Sequence, residues 1–254
     1  MYHFFVTPDQ VGEGYCRITG QDVNHIRNVL RMKPGEEIAV RDGISRNYVC
    51  ALETLGEDEV LARILRTEAD SSELPARLIL FQGLPKGDKM ELVIQKAVEL
   101  GAYQIVPVST RRSVVRLDGK KAEAKVRRWN AIAESAAKQS GRMVVPQVKP
   151  VMGFGEALAR AGELDYSLIP YELAEGMEHT RQVLEGVRPG MTVGIFIGPE
   201  GGFDVEEVDQ ARAAGLHPIT LGRRILRTET AGMAVLSILM FRLEGCQEEP
   251  GISP

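Results

Sequence analysis

Residues 195–204 read IFIGPEGGFD, a short apolar run that breaks into Gly-Pro-Glu-Gly-Gly and ends on an acid. The run has the length and composition of a buried strand. Asp204, with Glu207 three residues on, forms the capping-box pattern that opens a helix. That helix start is specified without Gly201 and Gly202, and glycine costs backbone entropy, so a compensating use is expected. Pro199 fixes one dihedral while its glycine neighbours reach conformations closed to other residues. Two uses remain open on this stretch alone. One is a plain strand-to-helix turn; the other is a loop that lays bare N–H and C=O groups against a flat polar ligand. The spacing matches neither GxGxxG nor GxxxxGK[ST], so dinucleotide and P-loop readings fail.

Strand-then-helix units recur on both sides of this stretch. ARLILFQGL reads as a strand, DKMELVIQKAVELG as a helix closed by Gly101, and YQIVPVST as a second strand. Lys120 to Ser140 is periodic as a long helix closed by Gly141, followed by strand MVVPQV, helix FGEALARAG and strand DYSLIPYE. TVGIFIG, helix DVEEVDQARAAG, the short strand HPITLG and the closing helix ETAGMAVLSILMFRLEG complete the series. Strands alternating with helices imply right-handed crossovers and a mostly parallel sheet. The first seventy residues have a different rhythm. HFFV, YCRI, EEIAVRD, NYVCALETL and EVLARILRT are short β-rich runs at close spacing, as in a small barrel or sandwich. One helix, 21–31, interrupts them, with Val23, Ile26 and Leu30 at helical spacing and Lys33-Pro34-Gly35 after it. The polar stretch 68–75 reads as a linker. The expected organisation is therefore a small β-barrel over 1–70, an α/β domain over 74–246 and a disordered tail over 247–254.

Composition sets outer limits. The chain has 254 residues, 44% hydrophobic and 26% charged, with a formal net charge of −4. That is ordinary for a soluble globular protein and unlike one that coats nucleic acid through net charge. No apolar run is long enough to span a membrane, and MYHFFVTPDQ lacks the parts of a secretory signal. Cys16, Cys50 and Cys246 are odd in number and far apart, so a disulfide framework is not expected and a reducing cytoplasm is. The four histidines are scattered without ligand spacing, and no metal site is expected. Within the acidic whole, 111–142 is a basic stretch.

Ligands of open parallel sheets bind beyond the carboxyl ends of the strands. Three such ends are chemically unusual: LIPYELAEG (168–176), IFIGPEGGFD (195–204) and ITLGRRILRTETA (219–231). The third has a plain reading, with Thr228 as N-cap, Glu229 in the first turn and Ala231, Val235, Ile238 and Leu239 as core. That reading leaves Ile225 and Leu226 unexplained in a polar loop. It also leaves Arg227 at a helix start, where the dipole disfavours a cation, so an anionic partner is implied.

GPEGGF at 198–203 together with LGRRILRTETA at 221–231 resembles the RsmE family of SPOUT methyltransferases, which methylate N3 of one uridine in small-subunit (16S) ribosomal RNA with S-adenosylmethionine. The similarity extends over nearly the whole chain. HFFV and HIRNVLRMKPGEEIAVRDG match a PUA-like N-terminal barrel, and QGLPKGDKMELVIQKAVELG, RRSVV and RWNAIAESAAKQSGR follow in the family's order. The resemblance implies a SPOUT-type parallel sheet whose C-terminal part, roughly 168–235, is tied as a trefoil knot, and a homodimer packed across it. It implies that Ile197, Gly198, Pro199, Glu200, Gly201 and Gly202 wrap the cofactor with backbone, while Leu221, Gly222, Ile225, Leu226 and Thr228 flank the adenine side. Tyr171 and Glu172 are the remaining cofactor contacts, in a region of weaker match.

Uridine N3 carries a proton and is a poor nucleophile until it leaves, so a base, or a cation that stabilises the developing uridine anion, is expected within hydrogen-bond reach. Arg227 is the candidate cation, and Glu229 or Glu200 the candidate base. Lys86, Lys89, Arg111, Arg112, Arg116 and Arg142, with Arg27 and Arg31 of the first domain, are candidates to grip the RNA backbone, each against the plain alternative of a solvated surface charge. Trp129 is expected in the core. The resemblance implies ribosomal RNA as the substrate, either naked or in an assembled small subunit. Two alternatives stand beside this reading: a methyltransferase of the same kind acting on another nucleotide, and a non-catalytic RNA-binding protein.

Overall fold

A computed structural model describes residues 1–44, 46–68, 72–117, 119–174 and 176–246. The expected tail 247–254 and the middle of the expected linker lie outside these. The chain divides into two compact units, one of residues 1–73 with 137–145 and one of 74–136 with 146–254.

The first unit is built on a five-stranded sheet of β1 (Tyr2–Phe5), β2 (Tyr15–Thr19), β3 (Glu37–Arg41), β4 (Asn47–Leu55) and β5 (Glu59–Glu68), in the order β1-β3-β4-β5-β2. β1 runs parallel to β3 and the other pairs are antiparallel. Register shifts at Val49/Cys50 and Leu52/Thr54 break the β4–β5 ladder, and irregularities of this kind bend a strand and increase its twist. Alternation puts Phe4, Ile18, Ile38, Leu52 and Val60 in one core with Ile26. The single helix expected over 21–31 is shorter and changes character. After α1 (Gln21–Asn24) comes a π turn, His25–Val29, with Leu30 N–H donating to the His25 carbonyl at 2.9 Å. Segment 137–145 belongs to this unit through Glu73, whose carboxylate accepts from the Arg142 guanidinium at 2.9 Å and from Met143 N–H at 2.8 Å.

The second unit carries a parallel sheet of β6 (Arg77–Gly83), β7 (Ala102–Ser109), β8 (Gln147–Val148), β9 (Met152–Gly153), β10 (Tyr166–Pro170), β11 (Thr192–Ile197) and β12 (His217–Ile219). Its order is β12-β10-β11-β6-β7-β8, with β9 on the end of β7. All these pairings are parallel. β6 and β11 sit in the middle and are apolar nearly throughout, as strands covered on both faces must be. Phe81 and Phe196 stack across them at 4.3 Å between ring centroids. The helices are α2 (Lys89–Glu99), α3 (Gly119–Ser140), α4 (Phe154–Ala161), α5 (Met177–Glu185), α6 (Val205–Ala213) and α7 (Thr228–Glu244). α5 has no counterpart in the sequence reading, because MEHTRQVLE is short and mostly polar and buries only Thr180, Val183 and Leu184. The strand expected from MVVPQV is only Gln147–Val148.

Candidate active site

The carboxyl ends of β10, β11 and β12 open into one cavity of about 910 Å³ in the second unit. Its walls are the three stretches singled out by the sequence. Tyr171 and Glu172 come from the first, Ile197 to Gly202 from the second, and Leu221, Gly222, Ile225, Leu226, Arg227 and Thr228 from the third. Every residue expected to touch the cofactor lines it. Thr220, Phe203, Arg223 and Arg224 line it as well and were missed. The two arginines were legible only as part of the motif, with no local signal separating them from surface charge.

The GPEGG loop is held by close approach and by hydrogen bonds. A Cβ built on Gly198 would lie 3.0 Å from the Gly202 carbonyl carbon, so the loop folds back on itself too tightly for a side chain. Gly202 has φ +66, which disfavours other residues there. Gly202 N–H donates to the Pro199 carbonyl at 2.9 Å, and Arg112 donates to the Gly201 carbonyl at 3.0 Å. The capping box after the loop is present. Asp204 caps α6 by accepting from Glu206 N–H at 3.2 Å, and Glu207 accepts from Asp204 N–H at 2.9 Å. Glu207 is buried, and its other oxygen accepts from Arg111 N–H at 2.8 Å.

The N-cap of α7 is Arg227 rather than Thr228. Thr228 is the first helical residue, and its hydroxyl donates to the Gly198 carbonyl at 2.5 Å. A tertiary acceptor has taken the group that the local reading assigned to capping.

Glu200 accepts from Lys86 N–H at 3.0 Å and from Lys89 Nζ at 2.9 Å. Burial pushes its carboxyl up, but the Lys89 hydrogen bond, the backbone N–H groups and the Lys89 charge outweigh that and hold it below the ordinary carboxylate range. A carboxylate so held is a weak proton acceptor. Lys89 also lies 3.7 Å from Glu229 Oε2, which is buried without a hydrogen bond. Glu229 therefore keeps open acceptor capacity in the first turn of α7, where the helix dipole favours a carboxylate.

The expected RNA-gripping residues separate into several groups. Lys89 and Arg112 line the cavity, but each is already engaged, Lys89 with Glu200 and Arg112 with Asp204 at 3.2 Å. Arg111 pairs with Glu206 and Arg116 donates to Ser109 Oγ. Lys86 is exposed. Arg27 and Arg31 belong to the first unit, Arg31 with a left-handed φ of 53. Arg142 is a correction: it is only 3% exposed and spends its guanidinium on Glu73, so no phosphate reaches it. Burying a guanidinium requires a paired carboxylate, and Glu73 supplies it from a distant position in sequence. Trp129 is buried, as expected. Among the described residues no group of three or more His, Cys, Asp or Glu is placed to hold a metal ion.

Residues 72–240 match the RNA methyltransferase domain family, and residues 18–65 match the RNA methyltransferase PUA domain family. The fold and cavity are thus those of an RNA methyltransferase with a PUA-type N-terminal domain. The chain is 37% identical to Ribosomal RNA small subunit methyltransferase E of Bacillus subtilis over 249 residues, covering 96% of each chain. Among solved structures, it is similar to Ribosomal RNA small subunit methyltransferase E of Neisseria gonorrhoeae bound to S-adenosyl methionine. That match has a TM-score of 0.82 and 34% identity, over 95% of this chain and 98% of that one. A Legionella pneumophila putative methyltransferase, in complex with bound SAM, aligns with a TM-score of 0.83 and 30% identity, over 95% and 97%. The protein belongs to the ribosomal RNA small subunit methyltransferase E family.

Proposed function

We propose that this protein transfers the methyl group of S-adenosylmethionine to N3 of one uridine in 16S ribosomal RNA, using the cavity at the ends of β10, β11 and β12. The observation that carries the reading is that three stretches far apart in sequence meet in that one cavity, with all of GPEGGF and all of LGRRILRTETA except Glu229 and Thr230 on its wall. The lining suits the cofactor. Ile197, Leu221 and Leu226 offer apolar surface for a flat base, the glycine loop offers backbone, and Glu172 offers a carboxylate for polar groups. S-adenosylmethionine supplies a methyl group already activated on sulfur, so the chain's task is to place and prepare the acceptor.

Placement alone supplies several kcal/mol of barrier lowering. A uridine inside folded RNA must be splayed out to enter such a cavity. Glu229 takes the N3 proton: it is not among the residues lining the cavity and its Oε2 lies 3.7 Å from Lys89 Nζ, but that oxygen accepts no hydrogen bond, whereas Glu200, on the wall, is committed to Lys86 and Lys89. Arg227, on the cavity wall at the start of α7, stabilises the resulting uridine anion. Residues 1–70 form the PUA-like RNA-binding domain and 74–246 the methyltransferase domain, with Arg27 and Arg31 adding backbone contacts.

The finer architecture belongs to the same proposal. Residues 168–235 form the trefoil knot of a SPOUT domain. In support, β12 pairs with β10 at the sheet edge while the next segment returns to the middle, where α7 packs on β6 and β11. Two copies pair across this region through α7. In support, that helix is apolar nearly all round and leaves Phe241 79% and Ile238 41% exposed. Three free cysteines and the lack of a helix able to cross a membrane, among the described residues, are in keeping with work in the cytoplasm on ribosomal RNA.

The test is methyl transfer from labelled S-adenosylmethionine into small-subunit RNA, offered naked and as assembled subunits, with digestion and mass spectrometry of the product. A 3-methyluridine at one site is expected. Label on another nucleotide would replace the acceptor, and cofactor binding without transfer to either substrate would replace the substrate. A protein that binds no cofactor would refute the reading.

A further inference from the structure

Beyond the exposed Arg77 at its start, β6 is a buried apolar strand with one exception. Gln82, near its carboxyl end, is fully buried, where an amide is unfavourable unless its hydrogen bonds compensate. Its Nε2 donates to the Gly83 carbonyl at 3.0 Å and to Thr228 Oγ1 at 2.8 Å. Thr228 Oγ1 in turn donates to the Gly198 carbonyl at 2.5 Å. The orientation is determined. Reversing the amide would set an oxygen against the Gly83 carbonyl, so the nitrogen must face it and the Thr228 oxygen must accept. The single hydroxyl proton then has Gly198 as its acceptor. Gln82 Oε1 is left buried with no hydrogen-bond partner. Retaining an amide with one unsatisfied atom in the middle of a sheet indicates a use beyond packing.

We propose that Gln82 is a positioning residue for methyl transfer, acting through the Thr228 hydroxyl to fix the Gly198 carbonyl, and with it the GPEGG loop, against the start of α7. The relay joins the elements whose spacing decides the site: the end of β6, the loop after β11 and the helix turn bearing Arg227 and Glu229. Gly83 shows how little slack exists at this junction, since a Cβ built there would lie 2.7 Å from Pro199. Thr228 lines the cavity but spends both hydroxyl roles inside the protein, so its contribution to the cofactor passes through the loop. The proposal rests on the cavity being the cofactor site.

The experiment compares wild type with Gln82→Met, Thr228→Val, the double variant and Thr228→Ser. It measures the dissociation constant for S-adenosylmethionine, kcat and KM on small-subunit RNA, and the thermal midpoint without ligands. Each removal is expected to weaken cofactor binding or lower kcat about tenfold with KM for RNA unchanged, and the double variant to be no worse than the poorer single one. Thr228→Ser keeps the hydroxyl and restores wild-type values. Additive losses, a serine variant as poor as valine, or a lowered midpoint with unchanged cofactor affinity and kcat would each overturn the relay. A wild type that binds no S-adenosylmethionine refutes the cavity assignment and the proposal with it, and is distinguished by needing no variant to show it.

Discussion

Substituting Gly83 by alanine tests whether the spacing between β6 and the GPEGG loop controls turnover. The new Cβ would stand 2.7 Å from both the nitrogen and the Cδ of Pro199, and 3.0 Å from the Gly198 carbonyl carbon. Ordinary contact begins at 3.4 Å, so the loop must retreat by 3.4 − 2.7 = 0.7 Å or more. The atoms in the way are backbone and a proline ring, which cannot swing aside as a flexible side chain would. Overpacking of this kind costs about 1–3 kcal/mol of stability. A displacement approaching ~1 Å at a reacting geometry can cost on the order of 100-fold in rate. The expected result is a fall in kcat, or in affinity for S-adenosylmethionine, of about 10- to 100-fold, with the protein still folded at the assay temperature. Gly155→Ala is the control. Gly155 lies in α4, where a Cβ meets nothing within 4 Å, so it should gain up to about 1 kcal/mol of stability and leave kinetics untouched. Wild-type kcat and cofactor affinity in Gly83→Ala would refute the reasoning.

Other outcomes follow from the same contacts. Glu229→Gln should lower kcat at least ~100-fold, as loss of a general base does, while Glu200→Gln, which keeps an acceptor for Lys86 N–H, should cost less than ~10-fold; equal losses in single-turnover assays would reverse the assignment. Arg223→Gln and Arg224→Gln should each flatten the slope of log K for RNA against log salt by about 0.7 without changing cofactor affinity, since both side chains are exposed at the cavity. Glu73→Gln strands the buried Arg142 guanidinium and should cost about 3–5 kcal/mol, read as a lower thermal midpoint. Its pH dependence has a definite sign. Burial pushes the Glu73 carboxyl up, but the Arg142 hydrogen bonds and charge, with Met143 and Val144 N–H, hold it below its ordinary value. The stabilisation is therefore complete above the unfolded pKa of about 4.3 and is lost as pH falls through the lowered folded value, so wild type and Glu73→Gln should converge in acid.

Features confined to one turn or one strand could be read from the amino acids in order. Asp204 and Glu207 cap α6 as their spacing indicates, because both partners lie within a single turn. Apolar runs announced β6, β11 and the parallel sheet, and the rule that ligands gather at strand ends selected the three cavity walls before any geometry was known. Contacts between distant positions were not legible, for the physical reason that a side chain's own sequence neighbourhood says nothing about which acceptor the fold brings to it. Thr228 looked like a cap and became a link between Gln82, 146 positions away, and Gly198, 30 away. Lys89 and Arg142 looked like cations for RNA. Tertiary structure paired the first with Glu200, 111 positions on, and buried the second against Glu73, 69 positions back. Periodicity along the chain determined the elements and their faces. Only folding decided which polar groups met, because burying each of them required a partner that the local chain did not contain.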